Sequence, residues 1–341
     1  MNYPSNRAPK PRTWPLARFA GHGSTRPRGV AQAPVLALPV VALLCLFVSG
    51  AAAEDEQKPS AGTSNADSNR QSISEFSRSD LWDDGLAELS YYDAVDTIYG
   101  KPRKYTCVML LNREWLLPYQ RVKAERPDPA AGHIPVLKLN VAEQIPTENY
   151  NYRRLTTLFL NRESMLPEKL AATSQEWCGS TFRQFQWNSG QVRIRGFGYF
   201  EDEGEKEWTV TSEAEGVPIY PEEALFVLAR AAVAMQKDLR IHVLPSARSN
   251  RLVEPKLRRA ALTVAPDSRR VRVPIGSVDG RLVTAQLGDV TWQFDVETAP
   301  PHRLLRASTP PGREMSLRFV ERRAYWDRNW PSKFYRANAA P

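Results

Sequence analysis

The stretch "STFRQFQWNSGQVRIRGFGYFED" (180–202) constrains the fold more than any other part of the chain. Asn188-Ser189-Gly190 supplies a tight turn between two runs, and Val192 and Ile194 alternate with Arg193 and Arg195. Period-two alternation places one face in a core and the other in water, so this region reads as an antiparallel hairpin. Similar short runs recur: "LAELSYYDAV" (86–95), "YTCVMLL" (105–111), "IPVLKLNVAEQI" (134–145), "YRRLTTLFLN" (152–161) and "KEWTVTSEAE" (206–215). After residue 237 come "LRIHVL", "AALTVAP", "RVRVPIG", "RLVTAQLGDVTWQFDVE", "RLLRAST" and "MSLRFVERRAYW". Gly and Pro punctuate them, as at Gly100 and Pro102. The 27 prolines suit loops and strand edges rather than long helices.

One segment breaks the pattern. "YPEEALFVLARAAVAMQK" carries Pro221 at its first turn, Glu222 and Glu223 at the positive end of a helix dipole, and Lys237 at the other end. Its apolar part, 224–235, is too short to cross a bilayer and too apolar to be wet on many sides. The expected fold is mainly β: a curved antiparallel sheet, half-barrel or barrel, packed on one principal helix (221–237).

The first 53 residues read as a signal peptide with a long basic n-region. Arg7, Lys10, Arg12, Arg18, Arg26 and Arg28 precede the apolar run "APVLALPVVALLCLFVSG" (33–50), and small residues around Ala53 offer a cleavage site. An uncleaved anchor is the alternative, though the run is short for a span of roughly 20 residues and contains Pro34 and Pro39. Cys45 follows Leu44 rather than a small residue, which does not suit lipidation. Residues 54–79 are polar and read as a disordered linker. Residues 80–341 read as a single large β-rich domain: a first strand set (80–216), the helix (217–241) and a second strand set (242–341).

The net charge of +8 does not indicate nucleic acid. The leader holds six Lys/Arg and no Asp/Glu, which leaves 40 basic against 38 acidic residues. The balance is uneven: residues 54–236 have 20 basic and 28 acidic residues, and 237–341 have 20 and 10. The basic half is expected either to balance the acidic half internally or to face an anionic envelope surface.

Catalytic signatures are thin. "TSQEWCGSTF" (173–182) shares Gln and Cys-Gly-Ser with cysteine peptidases. However, Thr181 stands at the nucleophile position, Phe182 replaces Trp, and the following residues alternate like a strand. The four histidines, His22, His133, His242 and His302, are isolated, and no Cys-x-x-Cys or His-Glu-x-x-His spacing occurs. "FEDEGEKEW" (200–208) reads as a wet hairpin loop rather than a calcium site, and "VDG" (278–280) as a turn. No metal or cofactor is expected. Past the leader two cysteines remain, Cys107 and Cys178, which are candidates for a disulfide in an oxidising compartment. Trp177, Trp187, Trp208 and Trp292 lie in or near strands and are the candidates for ligand contact.

"DLWDDGLAELSYYDAVDTIYGKPRKYTCVMLL", "TSQEWCGSTFRQFQW" and "FGYFEDEGEKEW" resemble a group of exported bacterial proteins of uncharacterised function, often labelled septum formation inhibitor Maf. The chain lacks the Ser-Pro-Arg-Arg-type motif and the α/β alternation of the Maf nucleotide pyrophosphatases. The C-terminal part, with "EEALFVLARA", "VRVPIG" and "GRLVTAQLGDVTWQF", is similar to exported β-rich domains of unknown function. That similarity implies a curved sheet like that of lipoprotein-carrier proteins. Neither resemblance supplies a catalytic residue. The expected function is that of a non-enzymatic cell-envelope protein, exported to the periplasm or envelope, that binds or carries a hydrophobic or lipid-like ligand or serves structurally. The alternatives are an envelope hydrolase using carboxylates or Cys178, and a scaffold for a protein partner.

Overall fold

The computed structural model describes residues 73–212, 216–309 and 312–327. The expected leader and most of the expected linker lie outside these residues. The linker's last part does not behave as a tether. Residues 73–78 form a short helix, α1, in which Ile73 and Phe76 are buried, and Trp82 meets the Phe76 ring edge-on at 5.6 Å. Two apolar side chains in an otherwise polar run are enough to dock it.

Strands β1 (Ala87–Ile98), β2 (Lys101–Leu116), β3 (Ile134–Pro146), β4 (Asn151–Asn161), β5 (Pro167–Glu176), β6 (Gly179–Asn188), β7 (Gln191–Phe197) and β8 (Glu205–Thr211) form an antiparallel meander. The chain then passes through β9 (Ile219–Pro221) and a 3-10 turn (Glu222–Ala224) into the helix α2 (Leu225–Met235). β10 (Leu239–Leu244), β11 (Arg258–Val273), β12 (Gly276–Leu287), β13 (Val290–Glu297), β14 (Leu304–Ser308) and β15 (Glu314–Arg323) complete one 15-stranded sheet. Its order is β8-β7-β6-β5-β4-β3-β2-β1-β15-β14-β13-β12-β11-β10-β9, so the first and last strands pair at its centre, with Ala87 opposite Arg323. All pairings are antiparallel except β9 with β10.

The sheet is curved and unclosed. No ladder joins its edges, β8 and β9. The two ends nevertheless meet through side chains: Trp187 Nε1 donates to the Ile219 carbonyl at 2.8 Å, and Ser212 Oγ and His242 Nδ1 are 2.8 Å apart.

Two expectations about strands change. "AALTVAP" and "RVRVPIG" are one strand, β11, with a register shift between Val264 and Ser268 that accommodates Pro266. "VDG" (278–280) is not a turn but lies inside β12; the chain reverses just before it, between β11 and β12.

The helix is shorter than expected because residues 222–224 are 3-10 and Gln236 adopts a left-handed conformation, its N–H capping Ala232 and Val233. Residues 225–233 are all buried. Phe226 meets Trp292 edge-on at 5.6 Å, and Trp292 stacks on Phe294. Each such side chain contributes roughly 1.5–3 kcal/mol by leaving water. Arg230 is the buried exception. Its Nη1 and Nη2 donate to Glu88 at 2.7 and 3.0 Å, and its Nε donates to the His302 carbonyl. The space between Phe226, Arg230, Met109 and Leu139 is only about 10 Å³, so protein side chains fill the interior here.

Candidate functional site

Residues 245–257, "PSARSNRLVEPKL", link β10 to β11. Two prolines and the absence of alternation keep this segment out of the ladder. It forms a strap tied to the opposite half of the sheet. The Thr181 hydroxyl donates to the Asn250 carbonyl at 2.6 Å, and Arg183 Nη1 to the Ala247 carbonyl at 2.8 Å. Asn250 Nδ2 donates to Glu176, and the Leu252 N–H to Glu203 at 2.9 Å. At the start of the helical segment Glu223 accepts from the Ser246 hydroxyl and the Ala247 N–H; burial pushes its carboxyl up. Leu252 needs the bare backbone of Gly196, where a Cβ would lie 2.7 Å from Leu252 Cδ2.

Arg248 is the strap's deepest anchor. Its Nε donates to Glu143 at 2.5 Å and its Nη1 lies 2.5 Å from Asp96. Glu143 also accepts from Tyr105 at 2.8 Å and from Arg313 at 2.8 Å. Burial alone would raise the Glu143 carboxyl; Arg248 and Arg313 outweigh it and hold the group at about 2. The same surroundings make Cys107 inert. Burial, with Glu143 beside it, pushes its thiol up to about 12.

Beneath the strap lies a cavity of about 350 Å³. Its floor is one cross-strand row, Phe185 opposite Ile194 opposite Trp208. Val253, Pro245 and Pro255 of the strap add apolar walls. Four cations line it, Arg183, Arg251, Lys256 and Arg258, against one acid, Glu254. Arg183 is only 6% exposed and has no ion pair among the described residues. Burial pulls its pKa down, with Glu223 and Glu203 opposing; a guanidinium remains charged regardless. The arrangement suits a ligand with an apolar body and an anionic group. Its volume is at the small end of ligand sites, about 300–1,000 Å³.

Of the four expected tryptophans, Trp208 lines this cavity. Trp177 sits at the β5–β6 hairpin tip, 81% exposed and stacked on Tyr150. Trp187 bonds to Ile219 at the sheet junction. Trp292 is packed under Phe226. The four therefore do not share one site. Alternation along β6 puts Arg183 on the same inward face as Phe185, a cation in an apolar row and a signal in the sequence that, beside Trp208, could have pointed here.

The candidate disulfide is not formed: Cys107 and Cys178 are both free. Cys107 pairs with Glu143, Glu143 with Arg154 and Arg154 with Ser174. Three strand steps span roughly 14 Å, and Cys178 is four residues further on, well beyond the roughly 7 Å Cα limit. Cys178 is exposed, and its polar neighbour is the Tyr150 hydroxyl at 3.3 Å. The "QEWCGS" stretch is a hairpin corner, with Gly179 packed under the Tyr199 ring. Among the described residues no group of three or more His, Cys, Asp or Glu could hold a metal ion.

No protein-family model matches the chain and no curated protein matches it, so the Maf resemblance gains no support. A crystal structure of a beta-barrel-like protein of a domain of unknown function, DUF1849, from Brucella abortus is similar over 70% of this chain and 98% of that one. Its TM-score is 0.43 and its sequence identity 10%.

Proposed function

We propose that this is a non-enzymatic cell-envelope protein that binds an amphiphilic anion, a lipid-like molecule, in the cavity beneath the strap. The observation that carries the reading is the buried Arg183 guanidinium beside the Phe185–Ile194–Trp208 row. Glu223 and Glu203 act on this cation without forming an ion pair with it; a buried guanidinium with no bonded carboxylate favours an anionic partner, and the apolar floor takes a hydrocarbon segment. Lys256 and Arg258 of the basic C-terminal half line the cavity and are exposed, so they can meet a headgroup. The first 53 residues, read as a signal peptide, favour placement in the envelope. A hydrolase reading, with carboxylates or Cys178 at work, finds less support, because Glu143 is held by three donors and the polar neighbour of Cys178 is the Tyr150 hydroxyl rather than an imidazole.

Native mass spectrometry of the full chain and titration with a dansylated fatty acid test this. The expected result is stoichiometric binding, weakened at least tenfold by Trp208→Ala or Arg183→Met and severalfold by the surface pair Lys256→Ser/Arg258→Ser. A protein that carries no lipid and binds no probe, or binds it equally well in all the variants, would overturn the proposal.

A further inference from the structure

The end of the sheet where the strap lies carries a second feature. In an antiparallel meander alternate connections share one end, so the β1–β2, β3–β4, β5–β6 and β7–β8 tips project together. Aromatic side chains crown them: Tyr99 (69% exposed), Tyr150, Trp177 (81%) and Tyr199 (64%). These rings support one another. Tyr150 stacks on Trp177 at 5.6 Å, the Tyr99 and Tyr152 hydroxyls are hydrogen-bonded, and Tyr199 meets Phe200 edge-on. Gly179 under the Tyr199 ring locks two tips together. Phe197 and, on the strap, Val253 extend the exposed apolar surface.

The chemistry of this rim is selective. Tyr and Trp, with an apolar body and a polar tip, settle at a bilayer's headgroup level rather than in its hydrocarbon core. Lys104 and Arg153 near the tips, and Lys256, Arg258 and Arg259 around the strap, are exposed and have no ion pair among the described residues. Glu148 is neutralised by Lys101 and Arg103, and Glu203 by Arg251. The acids without an ion pair among the described residues here include Glu201, Asp202 and Glu205 at the β7–β8 tip and Glu254 on the strap, against the five cations just named. Interfacial aromatics among free cations complement a bilayer that contains anionic lipid.

We infer that this hairpin-tip end docks on the surface of an anionic bilayer, with Tyr99, Trp177 and Tyr199 seated among the headgroups and the cavity mouth turned toward the lipid. Docking goes beyond the ligand reading and draws on it only for the position of the mouth. No helix of the described residues is long and apolar enough to cross a membrane; the docking inferred here is a surface contact of the hairpin tips.

Flotation with phosphatidylcholine vesicles containing one quarter phosphatidylglycerol tests this, with brominated lipids as a fluorescence quencher. The full chain is expected to float, to float less at high salt, and to show quenching that disappears in Trp177→Phe. The triple variant Tyr99→Ser/Trp177→Ser/Tyr199→Ser, which alters exposed side chains, should lose at least fivefold in bound fraction while keeping its melting curve and its dansyl-probe binding. Failed docking and failed ligand binding are thereby read separately. Tyr119, exposed at the opposite end of the sheet, is the control: Tyr119→Ser should float like wild type. Absence of flotation, undiminished flotation of the triple variant, or loss in Tyr119→Ser instead would each overturn the docking.

Discussion

Gly196 shows how much one missing side chain can organise. Leu252 fills the space that a Cβ would occupy, and through it the strap is seated on β7. Gly196→Val is expected to displace Leu252, cost roughly 1–3 kcal/mol and open residues 245–257 to protease. Limited proteolysis followed by mass mapping checks this, and cleavage elsewhere at unchanged rate would confirm that the effect is local. The two thiols make a second contrast. Cys178 should react with a thiol reagent in the native protein within minutes, whereas Cys107, buried and protonated beside Glu143, should react only on unfolding. Titration of thiols with and without denaturant gives the count directly.

Helix α2 depends on a charge pair that its sequence does not announce. Arg230 reads as a wet residue, yet it is buried with Glu88, a partner 142 residues away. Removing one member leaves the other charged and unpaired. Arg230→Met should therefore destabilise by about 3–5 kcal/mol, and adding Glu88→Leu should recover most of the loss; denaturant melts of both variants measure it. Elements of this kind mark the limit of sequence reading. The β6–β7 hairpin was legible because its alternation and its Asn-Ser-Gly turn are local; the place of α2 was legible too, but not its ends, which the 3-10 turn and Gln236 set. The strap was not legible. Its residues show no period, and what gives them a place is Glu143, Asp96 and Thr181, far away in the chain. Pro266 suggested a strand end, but a bulge absorbed it. The site suffered most, since only Trp208 of the four candidate tryptophans lies at the cavity, and exposure at a hairpin tip gave Trp177 a different setting.

At the scale of the molecule, the joint between the two halves includes a buried charge cluster and so depends on pH. Glu143, on the first half, is held at about 2 by Arg248 and Arg313 of the second, against an ordinary value of 4.5. A depressed carboxyl contributes its full stabilisation above the unfolded value and loses it as pH falls toward the folded one. The loss should therefore run from about pH 4.5 down to 2 and amount to on the order of 3 kcal/mol. Glu223, raised by burial, works in the opposite sense and partly offsets this on acidification. Melting temperatures across that range, compared with Glu143→Gln, should show a steep acid limb that the variant lacks, starting from a lower plateau.

The pairing of the first strand with the last has a further consequence. In most meanders a truncated C-terminus trims a margin. Here β15 is the midline, among the described residues the sole ladder between the eight strands on one side and the six on the other. A product terminated ahead of Glu314 would lose that ladder, and its two leaves of strands would be left with contacts such as those of the strap and the buried Arg230–Glu88 pair to hold them side by side.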